Sequence, residues 1–206
     1  MKTVTASTGA MMTREQVHAW AQAHRRVSLM LYVAAQDYVG ARCCILNWLF
    51  VGFVLGAQAA EKYLKAFLLC AGQRQLGKHQ LQALLTRASA FLPQLAKFKP
   101  LMTTLDYAYA ERYGAARRPQ GHAYSTVDLV PLDEFVVTIL DYINIPDEVM
   151  CSLLPFPWLF EDRLARAGWK VSHWLTIQNA AISPRLEVWR ARYEQILNHL
   201  HPNRVR

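Results

Sequence analysis

Hydrophobic positions recur along this chain at the three-to-four-residue spacing of a helix, and nowhere alternate with period two between hairpin turns. Across residues 14–46, Val17, Trp20 and Ala21, then Val27, Met30, Leu31 and Ala34, fall on helical faces. A break is expected around Asn47 to Gly52. A second helix is predicted from about Val51 to Cys70, stopping at Ala71-Gly72 because glycine readily takes the left-handed conformation that ends a helix. Residues 73–78 form a polar loop, and a third helix follows from about His79 to Leu92, with Leu81, Leu84 and Leu85 on one face and Pro93 and Pro100 bracketing its end. A fourth is expected from Met102 to Tyr113 and a fifth from about Pro131 to Tyr142, with Pro146 ending the pattern. Between those two, Gly114 to Ser125 reads as a basic loop. Pro184 to Leu200 reads as a terminal helix. The expected fold class is all-α: an up-and-down helical bundle over 27–145, a helical lead-in over 1–26, and a basic, Trp-rich helical extension over 146–206 packed on the bundle.

The run Cys43 to Ala60 contains eighteen residues and no charge, with Gly52 and Gly56 spaced as a small-xxx-small pair. On length it approaches a membrane span. Asn47 and Gln58 interrupt it, and it continues directly into Glu61, Lys62 and Lys65, so a buried helix hairpin is the preferred reading and no membrane partner is expected. Met1 to Arg14 carries no apolar run of the kind a secretory signal peptide needs. Cys43, Cys44, Cys70 and Cys151 form no C-x-x-C pair, which fits reduced, packed thiols in a cytoplasmic protein.

Composition narrows the partners. Of 206 residues, 53% are hydrophobic and 18% charged, which excludes a disordered chain. Lys and Arg exceed Asp and Glu by 23 to 15, a net +8 that favours phosphate-bearing partners. Residues 151–206 hold eight of those cations against four acids, so the C-terminal stretch is the more basic part. There Trp158, Trp169, Trp174 and Trp189 interleave with Arg163, Arg166, Lys170, Arg185, Arg190 and Arg192. Such a pattern serves single-stranded nucleic acid, or equally a tail whose Trp residues pack while its Arg residues face water. No Gly-rich phosphate loop, Ser-His-Asp order or H-E-x-x-H is present. His199-x-His201 has no obvious third ligand, and neither a metal nor another cofactor is expected.

Several segments in order resemble the HEPN domain, a nucleotide-binding family of helical bundles from higher eukaryotes and prokaryotes. They are DYVGAR at 37–42, GAQAAEKYLKAFLL at 56–69, KHQLQALL at 78–85 and LDYAYAERYG at 105–114, with Gly114 where that family usually has Pro. The resemblance spans about residues 27–145 and leaves 146–206 outside. It implies a bundle of HEPN type, binding of RNA or nucleotides, a homodimer, and a nucleotidyltransferase-type protein as partner. Glu61 and Lys62 within the second segment read better as parts of a core helix than as reacting groups.

Ribonucleases of that family carry Arg, four to six residues, then His, which the toxin branch extends to His-x-Tyr. Three Arg-to-His spacings of this kind occur here, at Arg74/His79, Arg117/His122 and Arg192/His199. Only the middle one is followed by a tyrosine, Tyr124, and lies between the fourth and fifth helices. The resemblance then implies metal-independent RNA cleavage of a toxin or defence kind, with His122 moving a proton, Arg117 stabilising the phosphorane, and Tyr124 orienting the phosphate. Arg112, Tyr113 and Arg118 would bind the nucleotide or RNA. Arg112-Tyr113 already accounts for the Arg-Tyr-Pro segment that the non-toxin branch carries in this region, so a solvated basic loop over 114–125 and a non-catalytic interaction or scaffold module stand beside the nuclease reading.

Overall fold

The computed structural model describes residues 11–73, 80–114, 124–153 and 171–202. These fold as an all-α helical bundle, with no strand among the described residues. The order is α1 (Arg14–Ala23), α2 (Arg25–Leu46), α3 (Val51–Cys70), α4 (Leu81–Ser89), a 3₁₀ segment (Pro93–Phe98), α5 (Lys99–Glu111), a 3₁₀ turn (Thr126–Asp128), α6 (Leu129–Tyr142), α7 (Asp147–Leu153), α8 (Val171–Thr176), a 3₁₀ turn (Ser183–Arg185) and α9 (Leu186–Leu200).

The apolar stretch 14–46 is two helices, not one. Their junction is His24, whose ring stacks on Trp20 at 4.1 Å and whose φ of −112° leaves the helical region. Thr13 starts α1 with a capping box closed by Gln16. The fifth predicted helix does end at Tyr142 before Pro146, while the starts of α5 and α6 fall ahead of expectation, for different local reasons. Pro100 sits in the first turn of α5, where a missing N–H costs nothing, and Pro146 accepts from Met150 N at 2.9 Å as α7 begins. Ser125 and Asp128 form a second capping box, so α6 begins at Leu129, ahead of Pro131.

The core is built around α2 and α3, which pack along their length as an antiparallel hairpin. Leu31, Ala34, Tyr38 and Ala41 of α2 face Ala57, Ala59, Ala60, Tyr63 and Leu64 of α3. The uncharged run 43–60 is thus split by the turn at 47–50 rather than forming one helix. Gly52 is what lets the helices close above that turn: a Cβ there would lie 2.6 Å from Ile45 Cγ1 and 2.8 Å from Ile45 N. One described helix, α2, is long and apolar enough to cross a membrane by length and composition, with a mean hydropathy of 1.2. It carries nine buried residues in the bundle, among them Arg42.

α4, α5 and α6 complete the bundle. Asp106 of α5 accepts from the Leu81 and Gln82 backbone N–H groups at 3.2 and 3.4 Å, supplying the N-terminal cap that α4 lacks locally. The described C-terminal helices lie against this bundle. Leu175, Ile182, Tyr193 and Ile196 are buried in the common core. Arg185 pairs with Asp141 at 3.0 Å and Arg192 with Asp147 at 2.6 Å.

Beneath the C-terminal helices lies a closed polar network. Arg42, with no exposed surface, forms an ion pair with Asp133 and donates through Nε to Trp174 O at 2.7 Å and through Nη2 to Ile177 O. The Tyr38 hydroxyl donates to Asp133 Oδ1 at 2.6 Å and accepts from Asn179 Nδ2 at 3.1 Å. Asn179 also donates to Leu175 O and accepts from Ile182 N. Every buried charge here has a partner, the condition under which such a group is tolerated.

Candidate functional site at one end of the bundle

Three pieces of chain meet at the end of the bundle that carries the α2–α3 turn. The first is that turn, Asn47 to Phe50. The second is the end of α5, Glu111 to Gly114. The third is the approach to α6, Tyr124 to Asp128. Tyr124 joins them, with its ring 4.6 Å from that of Phe53 and 5.2 Å from that of Phe50, and its hydroxyl donating to Glu111 Oε2 at 3.0 Å.

The end of α5 is cationic and aromatic. Tyr109 and Tyr113 stand one helical turn apart with ring centroids 6.0 Å apart, edge to face. The Arg112 guanidinium lies over both, 4.6 Å from the Tyr109 centroid and 4.3 Å from that of Tyr113, and donates to the Tyr113 hydroxyl. Arg112 and Tyr113 are exposed, Tyr113 by 67%. Gly114, at φ +64°, then turns the chain out of the helix.

The residues expected to act together are distributed as follows. Arg112, Tyr113 and Tyr124 belong to this end. Arg117, Arg118 and His122 lie outside the described residues, in the stretch that joins Gly114 to Tyr124. Tyr124 is half-buried, held by Phe50, Phe53 and Glu111.

A cavity of about 240 Å³ opens beside Tyr124, lined by Ile45, Trp48, Leu49, Phe50, Phe53, Ser125 and Thr126. Its rim is apolar and exposed. Of its lining residues, Trp48 is 76% exposed and Leu49 52%. This face was not anticipated. The signal for it is the string Asn-Trp-Leu-Phe-Val, large apolar residues placed where a polar turn is expected.

Elsewhere several charged and reactive groups are committed to structure. Lys62 pairs with Asp37 at 2.5 Å and Lys65 with Glu61 at 2.6 Å, the latter pair an i,i+4 bridge along α3. Burial pushes the Cys70 thiol up to about 11 and that of Cys151 up to about 12, so neither is a thiolate nucleophile at neutral pH. His199 Nε2 lies 3.1 Å from Met12 O, and no cluster of three His, Cys, Asp or Glu side chains suited to a metal occurs among the described residues. In the basic C-terminal part, Arg185 and Arg192 are paired with acids of α6 and α7, and Trp189 packs on the core. Trp158, Arg163, Arg166, Trp169 and Lys170 lie outside the described residues.

Sequence reasoning gave no role to Asp133 or Asn179 and met Arg42 only as the last residue of DYVGAR. The polar pair Tyr38 and Arg42 at i,i+4, within that segment, is a local trace of the network. No family model, no curated protein and no solved structure matches this chain.

Proposed function

We propose that this protein is an RNA- or nucleotide-binding bundle of HEPN type that takes its ligand at the end of α5. The observation that carries the reading is the exposed Arg112 guanidinium lying over Tyr109 and Tyr113. An aromatic face stacks on any base, while the guanidinium pairs with a phosphate and adds a cation–π contribution. Arg117 and Arg118 follow within the next few residues, so positive charge is concentrated along one stretch of chain.

In the catalytic form of this reading, the protein is a metal-independent endoribonuclease of toxin or defence kind. His122 accepts the proton of a ribose 2′-hydroxyl as that oxygen attacks the phosphorus. Arg117 stabilises the phosphorane, and the bond to the 5′ oxygen breaks as that oxygen gains a proton. A 2′,3′-cyclic phosphate and a 5′-hydroxyl result. A second copy would bring an equivalent Arg117/His122 pair to the same phosphate.

The test has two arms. Anisotropy of a labelled single-stranded RNA should show saturable binding that weakens as salt rises, with Tyr113→Ala weakening it by about tenfold, in keeping with about 1–3 kcal/mol per stacked base, and Arg112→Ala making the salt dependence shallower. Incubation of a mixed RNA pool in EDTA should then give cleavage that His122→Ala abolishes. Absence of salt-dependent binding removes the RNA reading; binding with equal cleavage in wild type and His122→Ala removes His122 from catalysis.

A non-catalytic interaction or scaffold module is the second reading, and the exposed apolar rim around Trp48 is what favours it. The resemblance implies a nucleotidyltransferase-type protein as its partner. Binding without any cleavage by the wild type would select it.

A further inference from the structure

A tryptophan occupies the left-handed position of the turn between α2 and α3. Leu49 N–H donates to Cys44 O at 2.8 Å and Trp48 N–H to Ile45 O at 3.0 Å, the paired bonds of a Schellman helix end. That motif holds one residue in the left-handed region, where a side chain is disfavoured and glycine is usual. Here the residue is Trp48, at φ +60°. The same cap at the end of α3, where Gln73 N–H reaches Leu68 O at 2.9 Å and Gly72 N–H reaches Leu69 O at 3.0 Å, uses Gly72, at φ +81°. Trp48 also leaves 76% of its surface in water, so burial does little to offset the strain. An indole kept strained and exposed points to a contact outside the fold.

Trp48 lines the cavity of about 240 Å³ beside Tyr124. Phe50, Phe53 and Tyr124 give that cavity three more aromatic rings, and these brace one another: the Tyr124 ring lies 5.2 Å from Phe50, edge to face, and 4.6 Å from Phe53. Ser125 and Thr126 supply its hydroxyls. Ser125 Oγ accepts from Val127 N–H at 3.3 Å, which leaves its own O–H to donate. Thr126 makes no side-chain hydrogen bond among the described residues, so its hydroxyl is open to both a donor and an acceptor.

Size, charge and polarity select the ligand. The volume falls below the roughly 300–1,000 Å³ of pockets that hold drug-sized molecules, so the cavity takes one ring system and not a whole nucleotide. None of its eight lining residues is charged, so the group it holds is neutral and any phosphate stays outside. A Leu or Phe side chain from a partner would fill the space but would cover the Thr126 hydroxyl with nothing to bond it. An unpaired nucleobase meets both demands. It has flat faces for the aromatic rings and an edge of donors and acceptors for the two hydroxyls.

We propose that the cavity beside Tyr124 holds a single unpaired nucleobase, stacked on Trp48 and hydrogen-bonded along its edge by Ser125 and Thr126. This rests on the RNA- or nucleotide-binding reading and deepens it, since that reading assigns the end of α5 and gives this cavity no occupant.

The probe is a fluorescein-labelled single-stranded RNA, paired with an oligomer of the same length whose riboses are abasic, so that the phosphates are unchanged. Binding to the full-length chain is read by anisotropy. Trp48→Gly relieves the left-handed position and should keep or raise Tm, yet weaken binding of the base-bearing RNA by about tenfold or more while leaving the abasic oligomer unaffected. Thr126→Val, close in shape and lacking the hydroxyl, should weaken it by about fivefold with the turn untouched. Adenosine monophosphate added as a competitor separates the two sources of the base. Displacement of the RNA from wild type assigns the site to a free nucleotide, and displacement by unlabelled RNA alone assigns it to a base within a strand; either supports the proposal. Salt-dependent RNA binding that both variants leave unchanged, or that Trp48→Gly weakens equally for the two oligomers, overturns the proposal and leaves the RNA reading standing. Absence of RNA and nucleotide binding in wild type removes both. A concentration-dependent dimer that Trp48→Gly abolishes with RNA affinity unchanged gives the cavity face to a second copy and also overturns the proposal.

Discussion

Two carboxylates in this structure, Asp106 and Asp133, sit in different settings, and the setting decides how each titrates. Asp106 is the informative one. A carboxylate that caps a helix N-terminus is ordinarily held below its usual range by the N–H groups it accepts from. Asp106 receives two such bonds, from Leu81 and Gln82, yet burial outweighs them, with the nearby Glu61 charge acting in the same direction, and its carboxyl is raised. Asp133 moves the same way, because burial exceeds the pull of Arg42 and the hydrogen bonds from Arg42 and Tyr38. The sign of the consequence follows from linkage. A carboxyl that binds its proton more tightly when folded adds stability that is complete below the unfolded value of about 4 and fades as pH rises through the raised folded value. Urea midpoints of wild type should therefore lose this contribution as pH rises from about 4 toward neutrality. In Asp106→Asn, which keeps an oxygen for the two N–H groups, the decline should be shallower. An unchanged pH profile would show that Asp106 is not raised. None of this is readable in the sequence, where Asp106 is one acid in a helical run; its desolvation is created by α3 and α4 closing over it.

At the scale of elements, helix identity was legible and helix ends were less so. The apolar period locates α3 at its observed bounds and the core face of α4, because a bundle helix must keep one stripe dry. The break at His24 and the start of α5 at Lys99 depend on local capping and stacking that periodicity does not record. The Gly52/Gly56 pair shows how much the tertiary contact adds. Both glycines are equivalent in the sequence, and in isolation Gly→Ala favours a helix by roughly 1 kcal/mol. A Cβ on Gly52 meets backbone, at 2.8 Å from Ile45 N and 2.9 Å from Ala41 O, whereas one on Gly56 meets side-chain tips of Leu105 and Leu132 at 3.3 and 3.4 Å. Backbone cannot step aside without opening the hairpin. Gly52→Ala should thus be destabilising by about 1–3 kcal/mol or more after the helical gain, with Gly56→Ala close to neutral. Chemical denaturation of the two variants checks the contrast, and equal effects would mean that α2 and α3 approach less closely at Gly52 than described.

On the scale of the whole molecule, Arg42 connects three segments distant in sequence: its own helix α2, Asp133 of α6, and the carbonyls of Trp174 and Ile177 at the end of α8. A buried ion pair is a poor source of net stability, but removing one partner strands the other charge. Arg42→Met should lower stability by about 3–5 kcal/mol. Combining it with Asp133→Leu should recover part of the loss. Limited proteolysis of Arg42→Met should also cut the C-terminal helices faster than in wild type, since the carbonyl bonds that hold them are gone. If the double variant is no more stable than the single one, the stranded charge is not the cause. The sequence by itself determined that this protein is helical, which stripes are apolar, and that cations outnumber acids, because those properties follow from side-chain type and spacing along one chain. Tertiary structure alone decided that the arginine in DYVGAR is buried under α8, that Tyr124 joins α5 to the α2–α3 turn, and that Trp48 faces solvent beside a cavity. Each of these depends on which residues distant in sequence exclude water from one another, and no local pattern encodes that.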